Sequence, residues 1–109
     1  MINPFEIYII NISWGIDGKN RPVLVILLSD ENVFIHPITT QYENKSETVR
    51  RHYFKMNDWS QAGLAKQSYI DTGTLIKLPL SVIDKRQPIG RLTFSEKQRL
   101  LEFFNYNKK

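Results

Sequence analysis

The sequence predicts a single, mainly β domain over residues 1–109, in which a strongly curved antiparallel sheet or small barrel is closed by a C-terminal α-helix. Three observations carry this prediction. The chain has 109 residues, which suits one domain with a modest core. Short β-prone segments follow one another with polar turns between them and without alternating helices. A capped amphipathic helix pattern occurs near the C-terminus.

The first half of the chain is predicted to form three strands. Glu6 to Ile12 is β-prone and partly alternating, and Ser13 to Asn20 contains two glycines typical of a loop. Arg21 to Leu28 is a run of branched apolar residues, which favours a strand buried on both faces. The polar turn Ser29 to Asn32 leads into Val33 to Ile38, so strands two and three should form a hairpin.

The second half is predicted to contain shorter elements. Thr39 to Glu47 is polar and indicates an exposed loop. Ser68 to Thr72 and Thr74 to Leu78 are typical of two short strands around a glycine. Pro79 to Asp84 favours a helical turn.

The C-terminal segment carries the clearest helix signal. Thr93 and Glu96 fit a capping box, in which the hydroxyl accepts from an orphan N–H and the carboxylate reaches back. Phe94 could pack onto the first turn as a staple, and the helix should end near Tyr106, with the last residues fraying. Three apolar residues then fall on one helix face: Leu100, Phe103 and Phe104.

The composition excludes several classes of site. The chain has no cysteine, which excludes disulfides, thiolate metal ligands and a cysteine nucleophile. The N-terminus lacks a signal-peptide pattern, and the longest apolar run, Val23 to Leu28, is too short to span a bilayer. We therefore expect an unprocessed cytoplasmic protein with no membrane segment.

Charge is distributed unevenly along the chain. Residues 1–44 hold two basic against five acidic side chains, a net −3, whereas residues 45–109 hold thirteen against six, a net +7. A basic half is typical of a protein with an anionic partner such as nucleic acid. A solubilising surface explains the same charge equally well.

Common catalytic and metal-binding motifs are missing from the sequence. It contains no phosphate-binding loop of the Walker type, no G-x-G-x-x-G and no G-x-S-x-G elbow. His36 and His52 are sixteen residues apart, and neither has a metal-ligand spacing. His36 fits a packed or rim residue. His52 fits a solvated loop residue or a phosphate contact. No metal and no cofactor is predicted.

Arg21 and Thr39 should be neighbours if strands two and three form a hairpin, because one begins the hairpin and the other ends it. A guanidinium at the start of a strand can bind phosphate oxygens, and a nearby hydroxyl can contact the same phosphate. An ordinary surface ion pair and a turn-favouring threonine are the alternatives. Strand alternation places Thr39 with Ile35 and Pro37 and points His36 to the other face.

The segment from Arg50 to Trp59 interleaves cations with aromatic side chains. This combination suits single-stranded nucleic acid, since cations follow phosphates and rings stack on bases. Arg50 and Arg51 are the candidate phosphate contacts. The other interpretation is a core flank with solvated charges.

Four sequence blocks resemble the MazF/PemK toxins of toxin–antitoxin pairs, in order and spacing over nearly the whole chain. They are Arg21-Pro22-Val23 after a glycine-bearing loop, His36-Pro37-Ile38-Thr39-Thr40, Gly63-Leu64 leading to Ser68, and Ile89-Gly90-Arg91-Leu92-Thr93 before the C-terminal helix.

The resemblance implies an SH3-like barrel with a C-terminal helix, a homodimer and an antitoxin partner. It also implies metal-independent, sequence-selective cleavage of single-stranded RNA, leaving 2′,3′-cyclic phosphate and 5′-hydroxyl ends. Arg21 matches the catalytic arginine of the family and Thr39 the threonine paired with it. Thr40 and Tyr69 match positions that often contact RNA.

One functional position departs from the family pattern. Asp71 and Gly73 stand where the family often carries an Arg-x-Asp pair. Asp71 is a candidate substrate-binding residue that could act as a base, but its carboxylate repels phosphate unless it is paired. Two other functions therefore stay open. The first is a non-enzymatic toxin of the same barrel class that poisons a topoisomerase, as CcdB toxins do, through its C-terminal helix. The second is a nucleic-acid-binding barrel without catalysis.

Overall fold

The computed structural model describes residues 1–11 and 20–107, and their backbone forms one antiparallel sheet with helices at two places. The strands in this part of the chain are β1 (Glu6–Asn11), β2 (Asn20–Ser29), β3 (Asn32–Thr39), β4 (Tyr53–Lys55), β5 (Tyr69–Asp71), β6 (Ile76–Pro79) and β7 (Gly90–Arg91). The helices are α1 (Glu47–Arg50) and α2 (Phe94–Asn107), with a 3-10 turn at Leu80–Val82.

The sheet is strongly curled, with strand order β4-β5-β3-β2-β1-β7. β3 is shared along one edge, because β6 pairs with its first half and β5 with its last two residues, Ile38 and Thr39. A bulge between Val25 and Leu27 shifts the β2–β3 register, and bulges of this kind increase strand twist. The predicted mainly β fold with a curved antiparallel sheet and a C-terminal helix is confirmed.

Two apolar clusters pack on opposite faces of the sheet, and β2 contributes to both. Leu24 packs with the cluster that contains Leu100 of α2, whereas Val23 and Val25 pack with the cluster that contains Ile83. All three β2 side chains are fully buried, which confirms a strand covered on both faces over this stretch. The prediction fails further along, where Leu27 is 54% exposed beyond the bulge.

The start of α2 confirms half of the predicted capping box. Thr93 Oγ1 accepts a hydrogen bond from Glu96 N at 3.1 Å. The reciprocal contact was predicted wrongly, because the buried Glu96 carboxylate accepts from Asp58 N at 2.8 Å and pairs with Arg99 instead. The staple is also wrong, since Phe94 is 77% exposed. Glu96 is the buried partner, and a buried carboxylate left without a hydrogen bond costs more than an exposed one, so the Asp58 N–H and Arg99 satisfy it.

Gly63 and Gly90, which belong to two different blocks of the family resemblance, lie in chain segments whose backbones are in close contact. A Cβ on Gly90 would lie 2.0 Å from the carbonyl oxygen of Ala62, and one on Gly63 would lie 2.3 Å from that of Ile89. Gly63 also has a φ of 94°, which favours glycine. These two blocks therefore serve chain packing, because they let the segment before α2 approach the turn at residues 62–63.

Several boundaries differ from the sequence predictions. Asn20 was predicted to end the loop before strand two, but it is the first residue of β2. The helix was predicted to end near Tyr106, and α2 extends to Asn107. The rest of the predicted loop at residues 13–20, the end of strand one at Ile12 and the last two residues lie outside the described part. The elements α1, β4 and β7 were not predicted, because they are only four, three and two residues long. Within the described ranges, no helix is long and apolar enough to cross a bilayer.

Candidate active site

Arg21 and Thr39 lie together at one end of the β2–β3 hairpin. Val23 of β2 pairs with Pro37 of β3. When this register is continued by two residues, Arg21 lies across from Thr39. Both side chains line a cavity of about 300 Å³ and a smaller adjoining one of about 170 Å³. The smaller cavity also contains the predicted contact Thr40. The structure thus brings together the two candidate catalytic residues.

His36 lies outside the lining of these cavities, as strand alternation predicted. Its buried ring is 5.8 Å from the ring of Phe104, and Nδ1 is 2.6 Å from the carbonyl oxygen of Thr74. Burial lowers the pKa of His36, although the Thr74 carbonyl and the charge of Asp71 act in the opposite direction. His36 is therefore a packed residue whose neutral form is favoured by folding.

Acidification should destabilise the fold through His36. Because its pKa is lower in the folded than in the unfolded chain, this contribution is fully present above the ordinary value of 6.5. It is lost as the pH falls below that value, since the unfolded state then binds more protons. Urea unfolding at pH 8 and pH 5.5 measures the slope of the free energy of unfolding against pH. His36→Asn should flatten this slope, and His52→Asn should retain it. Equal slopes in all three proteins would contradict this account.

The larger cavity has an excess of positive charge. Among the described residues that line it, Arg21 and Lys45 supply two cations against the single carboxylate of Asp71. Asp71 Oδ1 accepts from Gly73 N at 3.0 Å and Oδ2 accepts from the Thr74 hydroxyl at 2.7 Å. Asp71 thus faces the cavity while it fixes the turn after β5. The net charge of the lining favours an anionic ligand.

The Thr39 hydroxyl is oriented by its own loop. Its oxygen accepts a hydrogen bond from Gln41 N at 3.0 Å. A hydroxyl that accepts in this way keeps its hydrogen to donate elsewhere. Thr39 is half-buried and Arg21 is half-buried, so both remain accessible from the cavity. Both side chains can offer donors to an oxyanion bound in the cavity.

The remaining predicted contacts lie beside the cavity. Tyr69 pairs with Thr39 across β5 and β3. Arg50 Nε donates to the carbonyl oxygen of Tyr42 at 3.1 Å, and Arg50 also forms an ion pair with Glu43 at 3.7 Å. Exposed Arg51 borders a separate shallow depression with Arg50. The structure therefore does not bring Arg50 and Arg51 into the cavity.

Sequence reasoning missed several residues that line the larger cavity: Gln41, Lys45, Tyr53 and Thr74. Only Tyr53 carried a signal, since it lies in the stretch that interleaves cations with aromatics. Lys45 and Gln41 belong to a loop whose path over the sheet is set by tertiary contacts.

Comparisons with known proteins identify the fold. No family model and no curated protein matches the sequence. The toxin MazF-mt6 of Mycobacterium tuberculosis matches with a TM-score of 0.67 and 23% identity, over 92% of this chain and 93% of that chain. A second structure, described as an Mtb toxin, matches with a TM-score of 0.63 and 21% identity, over 91% and 98%. The chain therefore has the fold of a MazF toxin, as its sequence resemblance implied.

Proposed function

We propose that this chain is a MazF-like toxin of a toxin–antitoxin pair and that it cuts single-stranded RNA as a metal-independent endoribonuclease. The observation that carries the proposal is the placement of Arg21 and Thr39 in one positively charged cavity. The fold, which is that of a protein described as a toxin, supports the same assignment.

The reaction we propose is an internal transesterification. The 2′-oxygen of one nucleotide attacks the adjacent phosphorus while the bond from phosphorus to the 5′-oxygen breaks. The 2′-hydroxyl loses its proton and the leaving 5′-oxygen gains one, which yields a 2′,3′-cyclic phosphate and a 5′-hydroxyl. Negative charge accumulates on the non-bridging oxygens in the transition state, so fixed donors near them lower the barrier.

Arg21 is assigned to stabilise this developing charge. A guanidinium stays protonated near neutral pH, so it acts as a double donor and not as a proton shuttle. The Thr39 hydroxyl donates to a non-bridging oxygen, because its own oxygen is already bonded to Gln41 N. Lys45 adds a second cation to the lining, and Thr40 contacts the substrate from the smaller cavity.

A cognate antitoxin and a homodimer belong to the same proposal. Leu27 and Leu75 are 54% and 58% exposed. Leu27 pairs with Phe34 in the β2–β3 hairpin, and Leu75 directly precedes β6, which pairs with the same strand β3. Exposed apolar surface of this kind is typical of a protein interface. Its position supports a second copy or an antitoxin segment as the partner.

The test is incubation of the purified protein with a long single-stranded RNA in EDTA, followed by mapping of the cut ends. We expect discrete cuts that leave 5′-hydroxyl and cyclic phosphate ends. Double-stranded RNA of the same sequence serves as the control and should stay intact. Intact single-stranded RNA under conditions in which the folded protein arrests growth would contradict the nuclease assignment and point to another target, such as a topoisomerase.

A further inference from the structure

Three tyrosines form a cluster of rings beside the cavity, and we call Tyr42, Tyr53 and Tyr69 the tyrosine cluster. Tyr42 and Tyr69 stack with their centroids 4.5 Å apart and their planes 14° from parallel. Tyr53 is tilted against both, 6.3 Å from Tyr42 and 6.4 Å from Tyr69. Neither apolar core of the described residues includes a member of this cluster, so core packing does not account for it.

Tyr42 and Tyr69 are held in place by contacts within the protein. The guanidinium carbon of Arg50 lies 4.9 Å from the ring centroid of Tyr42, and Arg50 also donates hydrogen bonds to the carbonyl oxygens of Tyr42 and Glu43. Tyr69 pairs with Thr39 and with Lys55 in the sheet. These two rings are therefore preorganised, which lowers the entropic cost of binding a ligand against their neighbour.

Tyr53 is the member of the cluster that lines the cavity with Arg21 and Thr39. It also borders a second groove of about 450 Å³, between β4 and α2, that it shares with Lys55 and Arg99. A strand bound with its phosphate at the first cavity passes Tyr53 before it reaches the second groove. Unpaired bases bind by stacking on aromatic rings, with cations following the backbone.

We propose that Tyr53 is a base-stacking residue, on which the base of a nucleotide next to the reacting phosphate lies. Tyr42 and Tyr69 set the position of its ring, and the strand continues toward Lys55. The inference rests on the proposed function, because it takes single-stranded RNA as the substrate. It also explains why Tyr53 lies at the junction of two concave surfaces.

The experiment measures binding of short single-stranded 2′-fluoro oligonucleotides, which resemble RNA but lack the attacking hydroxyl. We expect Tyr53→Leu to weaken binding about tenfold or more, the usual effect of removing one base–aromatic stack. Tyr53→Phe keeps the ring and should bind within about twofold of the unmodified protein. Thermal unfolding of each variant checks the fold.

A base-specific readout separates stacking from a merely structural role. Abasic sites are introduced one position at a time, and one position should weaken binding to the unmodified protein but not to Tyr53→Leu. Such coupling is the signature of a direct pair. A folded Tyr53→Leu that binds as tightly as the unmodified protein would overturn the proposal. So would losses from abasic sites that are equal in both proteins at every position, which would assign the tyrosine cluster to anchoring the loop around Tyr42.

This inference and the proposed nuclease fail in different ways. Coupling between Tyr53 and one base, in a protein that leaves RNA intact, supports the stacking residue and contradicts the nuclease. Normal binding and cleavage by Tyr53→Leu overturns the stacking residue and leaves the nuclease standing.

Discussion

Replacement of Arg21 by alanine is expected to lower the rate of RNA cleavage by at least about 10²–10³-fold, the usual effect of removing one donor to a transition-state oxyanion. The physical reason is that Arg21 lies opposite Thr39 in a cavity where Lys45 is the other cation among the described lining residues. A single ammonium cannot replace a guanidinium that donates from two nitrogens. The measurement is the single-turnover cleavage rate at saturating enzyme, so that weaker binding does not obscure the effect.

Two further variants make this prediction specific. Arg21→Lys keeps the charge but loses the fork geometry, so its rate should fall between those of the alanine variant and the unmodified protein. Arg91→Ala removes the same charge from β7, outside the cavity lining. Arg91 pairs with Glu6 of β1, whereas Arg21 pairs with Ile10, four residues further along the same strand. It should cut RNA at the normal rate. Equal rates for Arg21→Ala and Arg91→Ala would remove Arg21 from the active site.

Substitution of Gly90 by alanine is expected to destabilise the fold by about 3 kcal/mol or more, at or beyond the upper end of ordinary overpacking. Its new Cβ would lie 2.0 Å from the carbonyl oxygen of Ala62 and 3.2 Å from Gly63 N. Those atoms are backbone and cannot rotate away, so the segment before α2 must separate from the turn at residues 62–63. Urea unfolding at neutral pH measures the loss.

A matched control is Gly73→Ala, at a glycine in the turn beside the cavity. There the new Cβ would lie 3.1 Å from the Cβ of His52, so the neighbouring segment needs to move by only a few tenths of an ångström. We expect a change of less than about 1 kcal/mol in either direction. If both variants lose the same stability, the close approach of the two glycine-containing segments does not explain the role of Gly90.

The four sequence blocks that resemble MazF/PemK toxins have different roles in the structure. The blocks around Arg21 and Thr39 line the cavity. Those around Gly63 and Gly90 do not line it, and their backbones pack closely against each other. A motif match alone cannot separate these roles, because a glycine needed for close packing and an arginine needed for phosphate are equally visible in a sequence. The distinction follows from where the fold places each residue.

Local patterns in the sequence determined the elements that have strong local causes. The β2–β3 hairpin followed from two apolar runs around a polar turn, and α2 followed from Thr93 and the spacing of its apolar residues. Hairpin geometry then placed Arg21 near Thr39 and directed His36 to the other face. These outcomes depend on residues close in sequence, or on a period that a strand or helix fixes.

Only the tertiary structure decided the rest. Lys45 and Tyr53 reach the cavity because a loop and a three-residue strand fold back over the end of β3, and short elements carry too little periodicity to predict. The buried Glu96 carboxylate does not reach back to the start of α2, because it accepts from Asp58 N, thirty-eight residues away. Arg50 is directed to the loop at Tyr42 and not to the cavity. In each case the deciding partner lies outside the element itself, so the period of a strand or helix could not have identified it.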